Sequence, residues 1–397
     1  MSAILSAKDR RKMIKKVAYD MNKRNKRLIP VVPPILDMMD IMLENNEVEY
    51  LYRLSSRDYS YNHLQKISNK SFDQFNQLLD GLMKKGFLMV NIDYKKNEYY
   101  GLMPIVVGWI EVAEYYHRGH EKKHEFQKQL YNLLNYFRRF NINPLRSIVN
   151  RFGEKLIKPN QEVLPYHSKN EKKQISINQN IENPGYEIHP LRTINDLIED
   201  RGKKGDIYAV GCVCRNMHRG IGRSCEFKIP VEDSCLFFGS KGIGYSLVKT
   251  GYGRNISKEE AIDILQEVSE KGALHSVFHE EDDISLRSEI AICNCCLDCC
   301  GLLRGYNAGS MPQNYRSYYY SKVENLNKCE GCSKCEKHCP TLAISMFNEK
   351  VLINKNRCIG CGQCTIQCPK NGVLSMVRET RNVLLPWLRK SERRFDW

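Results

Sequence analysis

Two stretches near the carboxyl end share one cysteine pattern: Cys329-Glu-Gly-Cys332-Ser-Lys-Cys335-Glu-Lys-His-Cys339-Pro340 and Cys358-Ile-Gly-Cys361-Gly-Gln-Cys364-Thr-Ile-Gln-Cys368-Pro369. Both follow the spacing C-x2-C-x2-C-x3-C-P. Three thiolates spaced in this way wrap around a compact metal centre within one tight loop, and the small residues between them let the backbone close. Each proline holds the preceding cysteine extended and directs it away from its own loop. The duplication therefore predicts two metal centres.

Residues 316–378 resemble a bacterial-type 2[4Fe-4S] ferredoxin, and they match it at all eight cysteines and both prolines. The resemblance implies one-electron transfer, an outer strand pair at 318–323 and 373–377, and an internal hairpin at 343–346 and 350–353. Zinc, which also binds C-x2-C pairs, is the alternative, and the order of the motif disfavours it. The implied ligands are Cys329, Cys332, Cys335 and Cys368 for one [4Fe-4S] cluster, and Cys358, Cys361, Cys364 and Cys339 for the other.

A second group of cysteines precedes this module, and five of its members fall within residues 293–300. Such crowding favours metal ligation over core packing. We interpret the group as at least one further [4Fe-4S] cluster, with ligands from Cys212 or Cys214, Cys225 and Cys235 and completion from 293–300. Two clusters with one thiol left over, or a zinc site, are the alternatives. The candidates are Cys212, Cys214, Cys225, Cys235, Cys293, Cys295, Cys296, Cys299 and Cys300.

The middle region is similar to a poorly characterised group of 4Fe-4S dicluster proteins from anaerobic bacteria and archaea. The matching residues are Cys212, Cys214 and Arg215 in a C-x-C-R motif and residues 293–300 in a CNCC-x2-CC motif. The likeness implies an anaerobic setting and brings no established reaction. Cys299-Cys300-Gly301 also matches the CCG motif of heterodisulfide-reductase-like subunits, although only one copy is present and its spacing differs.

The composition of the chain limits which classes of protein we expect. The 397 residues are 42% hydrophobic, and the 17 cysteines all lie between Cys212 and Cys368. The chain lacks an apolar run long enough for a membrane span, and its first residues lack the apolar core of a secretory signal. We therefore expect a cytoplasmic protein whose cysteines bind metal and do not form disulfides.

The formal net charge is +15, and residues 8–27 hold ten basic residues against Asp9 and Asp20. Met13, Val17 and Met21 recur at four-residue spacing, which predicts a short basic amphipathic helix within residues 1–30. Such a segment serves either as a solvated tail or as a contact for nucleic acid, an anionic membrane surface or an acidic protein.

Residues 31–118 resemble a winged helix-turn-helix. A helix is expected after Pro33, and Ser71 and Gln74 form a capping box before a second helical face. Strands are expected at 87–92 and 98–103. Because Asp73 and Asp80 lie on the candidate recognition helix, the pattern favours protein docking over DNA binding.

The remaining predicted segments are a helical extension at 119–165, a polar linker at 166–185, a cysteine-rich α/β middle domain at 186–315, the ferredoxin-like dicluster domain at 316–378, and a basic tail at 379–397. Helices are expected at 193–200 and after Ser257, and a strand at 207–213 leads to Cys212 and Cys214. His275 and His279 are possible ligands, although satisfied polar residues are the commoner case.

The sequence thus predicts an α+β iron–sulfur protein with a winged-helix-like domain at its N-terminus. Its expected function is electron transfer, as a multi-cluster subunit or dedicated partner of an anaerobic oxidoreductase and not as a stand-alone enzyme. The expected partner is an unidentified redox protein. A redox-sensing winged-helix transcriptional regulator is the alternative, and a middle cluster that acts as a reductase active site is a third possibility.

Overall fold

A computed structural model describes residues 5–24, 30–92, 95, 97–116, 121–157, 159, 161–166, 177–178, 193–202, 206–239, 242–278 and 290–395. Most of the predicted polar linker and the candidate ligand His279 lie outside these residues. The helices are α1 (Ala7–Lys23), α2 (Pro33–Met42), α3 (Asn45–Tyr52), α4 (Tyr61–Ser68), α5 (Phe72–Lys84), α6 (Ile110–Tyr116), α7 (Lys123–Arg138), α8 (Asn143–Leu156), α9 (Ile194–Arg201), α10 (Val213–Gly220), α11 (Ile243–Lys249), α12 (Lys258–Glu270), α13 (Gly301–Asn307), α14 (Lys334–Lys337) and α15 (Gln363–Gln367).

The strands form one large sheet, a three-stranded sheet and a separate hairpin. They are β1 (Tyr59–Ser60), β2 (Leu88–Ile92), β3 (Glu98–Leu102), β4 (Gln161–Leu164), β5 (Ile177–Asn178), β6 (Ile207–Val210), β7 (Cys235–Phe238), β8 (Gly253–Ile256), β9 (Leu274–Phe278), β10 (Ile290–Cys295), β11 (Gln313–Val323), β12 (Ile344–Phe347), β13 (Lys350–Ile353) and β14 (Leu374–Leu385). The mixed helix and sheet content confirms the α+β class.

The N-terminal part builds its own core from α1–α7 and the small sheet of order β1-β3-β2. Pro33 begins α2 as predicted, and Ser71 is the N-cap of α5, where its hydroxyl accepts the Gln74 amide as one half of the predicted capping box. The β2–β3 hairpin follows α5 as predicted. The elements of the predicted winged helix are thus present, whereas its assignment to that family stays a prediction.

The predicted basic helix is α1, and its apolar side packs into this core. Ile14, Val17 and Met21 are fully buried. Several of its basic side chains are paired: Arg10 with Asp40 at 2.6 Å and Arg11 with Asp37 at 2.7 Å. The helix is therefore a structural element of the N-terminal core, with part of its charge neutralised by neighbouring carboxylates.

The large sheet joins the middle and carboxyl-terminal segments in the order β5-β14-β11-β4-β9-β10-β7-β6-β8. Helices α9 and α12 cover one face through a core that includes Leu197, Leu265 and Ile292. The opposite face packs on α11 and on N-terminal residues such as Met103 and Tyr115. Because β-strand side chains alternate between faces, Cys235, Cys293 and Cys295 all face this second side.

Three of the predicted segment boundaries do not coincide with the ends of the large sheet's strands or of their pairing. Strand β4 belongs to the predicted helical extension, yet it pairs with β9 and β11 in the large sheet. Strand β11 runs across the predicted boundary at 315/316, and β14 extends to Leu385, within the predicted tail. The strand predicted at 207–213 ends at Val210, because the Cys212 carbonyl accepts the Asn216 amide and begins α10. Among the described helices, none is both long and apolar enough to cross a bilayer.

Candidate metal centres

The two duplicated cysteine loops adopt nearly the same local structure. A short 3₁₀ turn precedes each loop, at Leu326–Lys328 and Lys355–Arg357, and a short helix follows its second cysteine. Gly360 has φ +68°, and a Cβ atom there would collide with the Tyr319 carbonyl oxygen. A residue without a side chain is therefore required where the second loop turns against β11.

The first loop surrounds a cavity that we call the outer cavity. Its cysteines are the four that the sequence assigns to one cluster: Cys329, Cys332, Cys335 and Cys368. The empty space among the lining residues, including its solvent-facing mouth, is about 350 Å³. Cys332 is exposed and only Cys335 is buried, so one side of this cavity is close to solvent. Burial raises the pKa of Cys335 to about 11.

The second loop surrounds the inner cavity, whose empty space is about 330 Å³. It is lined by the other predicted set, Cys339, Cys358, Cys361 and Cys364, all of which are buried. In both cavities the fourth cysteine comes from the other loop, as the prolines predict. The remaining walls are largely apolar, with Ile344, Ile359 and Met376 around the inner cavity. Two separate cavities of this kind, each lined by four cysteines, fit [4Fe-4S] clusters in donor chemistry.

Comparison with known families agrees with this geometry. Residues 321–369 match the family model of the 4Fe-4S dicluster domain. No curated protein and no solved structure matches the chain. The match covers the two cavities and implies 4Fe-4S clusters in this part of the protein. It leaves the N-terminal and middle regions without a comparison.

Hydrogen-bond donors lie beside sulfurs of the inner cavity in the dicluster domain. The backbone amides of Ser321 and Ala343 donate to Cys358 Sγ and Cys339 Sγ, both at 3.3 Å. Ser321 Oγ also lies 3.2 Å from Cys364 Sγ. Such donors stabilise negative charge on a bound cluster and help to set its potential. Ser321 was not evident from the sequence, because its position opposite the loop depends on strand pairing.

The dicluster domain is fixed to the middle region by side-chain hydrogen bonds. Gln363 Nε2 donates to the Ala273 carbonyl at 2.5 Å, and Asn307 Nδ2 donates to the Pro340 carbonyl at 2.9 Å. From the C-terminal segment, Arg394 Nη1 donates to the Cys339 carbonyl at 3.0 Å. The module therefore docks against this body through both of its loops.

Six of the nine middle cysteines form a closed arrangement that we call the sulfur ring. The pKa of each thiol is shifted by two others of the six, and these neighbouring pairs form a continuous circuit. The ring is assembled across the sheet, because Cys235 of β7 and Cys293 of β10 are directly paired in register. In order around the ring its members are Cys212, Cys214, Cys300, Cys295, Cys293 and Cys235.

The other three cysteines form a separate group, which we call the sulfur triad. Cys225 Sγ lies 3.8 Å from Cys296 Sγ, and the sulfurs of Cys225, Cys296 and Cys299 all lie within 4.8 Å of one another. A ring nitrogen of His218, an oxygen of Asp298 and Cys299 Sγ form an overlapping group within the same distance. The sequence interpretation combined Cys225 with Cys235, whereas the fold brings Cys225 to Cys296 and Cys299.

Arg215 is a buried cation beside both sulfur groups. It is 2% exposed, and its guanidinium donates to the Pro230 carbonyl, Ser234 Oγ and the Asn294 carbonyl. These three partners are neutral oxygens. None of these contacts is an ion pair with a carboxylate or a hydrogen bond to sulfur. Its charge interacts with the sulfurs of Cys212, Cys296, Cys235 and Cys225. An isolated buried charge is costly, so this position favours negatively charged sulfurs around it.

Tyr315 connects the sulfur ring to the inner cavity. It is 1% exposed and packs in one core with Cys295, Cys300, Ile359 and Cys361. Its hydroxyl is buried and has no hydrogen-bond partner. Burial raises the pKa of Tyr315, and the charges of Cys300 and Cys295 in the ring raise it further. Cys361 of the inner cavity has the same effect.

The candidate ligand His275 is not placed in either sulfur group. Its Nδ1 lies 2.7 Å from Asn294 Oδ1 on the neighbouring strand, and burial lowers its pKa to about 4. His218, by contrast, was missed in the sequence. Its only local signal is the spacing of four residues from Cys214, which places both side chains on one side of α10.

Proposed function

We propose that this protein passes electrons through a series of iron–sulfur clusters, as a subunit or dedicated partner of a larger anaerobic oxidoreductase. The observation that carries the proposal is the succession of sulfur sites from the surface inward: the outer cavity, the inner cavity and the sulfur ring. The dicluster domain and its cysteines indicate an iron–sulfur electron-transfer role. The series extends this role to the middle region.

In this proposal the outer cavity holds one cluster through Cys329, Cys332, Cys335 and Cys368, and the inner cavity holds the other through Cys339, Cys358, Cys361 and Cys364. The bound clusters supply one-electron transfer. The protein supplies the thiolates, excludes water from the inner cavity with apolar walls, and provides amide donors that stabilise negative charge.

The sulfur ring holds a further iron–sulfur cluster in this proposal. Among the described cysteines, only the triad places three sulfurs within 4.8 Å of one another. No three of the six ring sulfurs therefore lie as close together as the triad sulfurs do. Arg215 supplies positive charge next to the ring, which offsets the negative charge of metal-bound thiolates.

Close packing supports transfer between the ring and the inner cavity. Cys295 and Cys300 share a hydrophobic core with Cys361 and Tyr315, and all three cysteines raise the pKa of Tyr315. The hydrogen bonds of Gln363 and Asn307 hold this arrangement, so distances between the sites stay constant. The outer cavity faces solvent, and its lining carries Lys328 together with Lys370 and Glu330, which are paired at 2.6 Å.

The test is iron and sulfide analysis of the full chain after anaerobic purification and reconstitution. Two clusters require about eight irons per chain, and a filled sulfur ring raises the count further. Fewer than eight irons, or a colourless chain with zinc at the eight cysteines of the dicluster domain, would overturn the proposal.

The regulator hypothesis is the second candidate, favoured by the α4–α5–hairpin arrangement. Asp73 and Asp80 are exposed on α5. Ion pairs with neighbouring carboxylates neutralise part of the positive charge of α1. Both features weaken attraction to a phosphate lattice. Salt-dependent DNA binding that changes with cluster oxidation would establish a regulator, and no binding at low salt in either redox state would exclude one.

A further inference from the structure

We propose that the sulfur triad and His218 form a mononuclear zinc site, separate from the iron–sulfur clusters. The ligands are Cys225, Cys296, Cys299 and His218. Neither the dicluster match nor the electron-transfer proposal requires this site.

Sulfur separation distinguishes the triad from the cavities of the dicluster domain. Tetrahedral zinc with Zn–S bonds of about 2.3 Å places neighbouring sulfurs about 3.8 Å apart. Cys225 Sγ and Cys296 Sγ lie 3.8 Å apart, and Cys299 Sγ completes a group within 4.8 Å. A cubane cluster instead binds each thiolate at a different iron corner. Its sulfurs must stand apart around a cavity, as they do at the outer and inner cavities.

His218 supplies the fourth ligand and an independent observation for the site. The residue is 2% exposed, and both of its ring nitrogens are buried without a hydrogen-bond partner. One of these nitrogens is within 4.8 Å of Cys299 Sγ. A buried polar group without a partner is destabilising, and a metal bond to the imidazole removes that deficit. Three cysteines and one histidine form a common structural zinc ligand set.

Asp298 fits an orienting role beside this ligand set. Its Oδ2 accepts the Glu226 amide at 3.0 Å, and its Oδ1 lies 3.4 Å from Arg304 Nη1. The carboxylate is thus already engaged on both oxygens, whereas His218 is not. Such partners around a metal site fix the position of the ligands.

The location gives the ion a structural purpose. Residues 221–234, which are all described, contain no helix or strand, and loops of this length without secondary structure are uncommon and usually functional or disordered. Zinc would connect Cys225 in this loop to the end of α10 and to the turn after β10. The same loop places Phe227 against His338 of the first dicluster loop, with ring centroids 5.1 Å apart.

The experiment is zinc-edge and iron-edge X-ray absorption on the full chain, purified anaerobically in iron-replete medium, together with metal analysis. We expect one zinc per chain with three sulfur ligands and one nitrogen ligand, and no change in the zinc signal when the clusters are reduced. Cys225→Ser should remove the zinc and leave the iron content of the dicluster domain unchanged. His218→Ala should remove the nitrogen ligand from the zinc. The rate at which a chelator extracts zinc should then increase at least tenfold.

His338→Ala is the matched control, because this nearby histidine already has Lys334 O as a partner of its Nδ1. It should retain zinc at the wild-type rate. Absence of zinc from the wild-type chain, or loss of about four irons in Cys225→Ser, would overturn the proposal in favour of another cluster. The wild-type spectrum needs no variant to fold. A chain with this zinc but no iron would instead overturn only the electron-transfer proposal.

Discussion

The outer and inner cavities arise from the same cysteine motif but differ in their surroundings. Cys332 of the outer cavity is exposed, whereas the corresponding residue of the second loop, Cys361, is buried in the core with Tyr315. The outer cavity borders solvent, Lys328 and the Lys370–Glu330 ion pair, while the inner cavity receives the Ser321 and Ala343 amides and contacts the middle region. Local sequence thus determines how a loop surrounds a metal centre, and tertiary packing determines what that centre can exchange electrons with.

The largest expected effect is a difference in melting temperature between two equivalent cysteine substitutions, one in each cavity. Cys361→Ala should lose the inner cluster and lower the melting temperature by roughly 5–10 °C, because metal binding contributes to folding and this thiol lies in a core. Cys332→Ala should lose the outer cluster with less than half of that fall. Anaerobic iron analysis and thermal melts of both variants measure the difference. Equal falls in melting temperature would contradict the distinction between the two cavities.

Substitutions of Arg215 test whether the cluster proposed for the sulfur ring depends on a buried cation. Arg215→Met should deplete the iron bound beyond the dicluster domain, because removing one partner of a buried charge group costs about 3–5 kcal/mol. The low-temperature electron paramagnetic resonance signals of the two dicluster centres should remain. Arg215→Lys should restore part of the lost iron. Full iron content in Arg215→Met would show that the sulfur ring carries no charge that needs this cation.

Two buried tyrosines of one core provide a smaller, opposite pair of effects. Tyr306→Phe should reduce stability by about 1–2 kcal/mol, because Arg357 Nη2 now donates to its hydroxyl at 2.6 Å. Tyr315→Phe should increase stability by about 1 kcal/mol, because it removes a buried hydroxyl without a partner. Anaerobic guanidinium midpoints measure both changes. A decrease in Tyr315→Phe would instead indicate that the hydroxyl donates to a cluster sulfur.

The smallest effect concerns the potential of the inner cluster. Ser321→Ala removes the hydroxyl beside Cys364 Sγ and should lower this potential by roughly 30–60 mV, a three- to tenfold change for a one-electron couple. Ser375→Ala is the control, since this buried serine on the paired strand donates to Glu324 at 2.9 Å. Redox titration of both variants should shift only the first, and only at the inner cluster. An equal shift at the outer cluster would contradict the assignment.

Sequence reasoning performed best where the information is local. The caps at Ser71 and Ser257, the β12–β13 hairpin and the four-cysteine loops each depend on a few neighbouring residues, and all are present in the fold. It performed less well for the middle cysteines. The predicted ligand set joined Cys225 and Cys235 with completion from 293–300, whereas the fold brings Cys225 to Cys296 and Cys299 and places Cys235 beside Cys293.

The sequence alone determined the spacing of the eight dicluster cysteines, and with it the two loops that wrap their cavities, because residues three apart in a short loop have few ways to arrange three thiols. Tertiary structure decided the division of the other nine into a ring of six and a triad of three. Those sulfurs come from the start of α10, the loop after it, β7, β10 and the turn after β10, and the ring depends on the strand register that aligns Cys235 with Cys293. Side-chain alternation and helix packing over long sequence separations set that register, and no short motif encodes it.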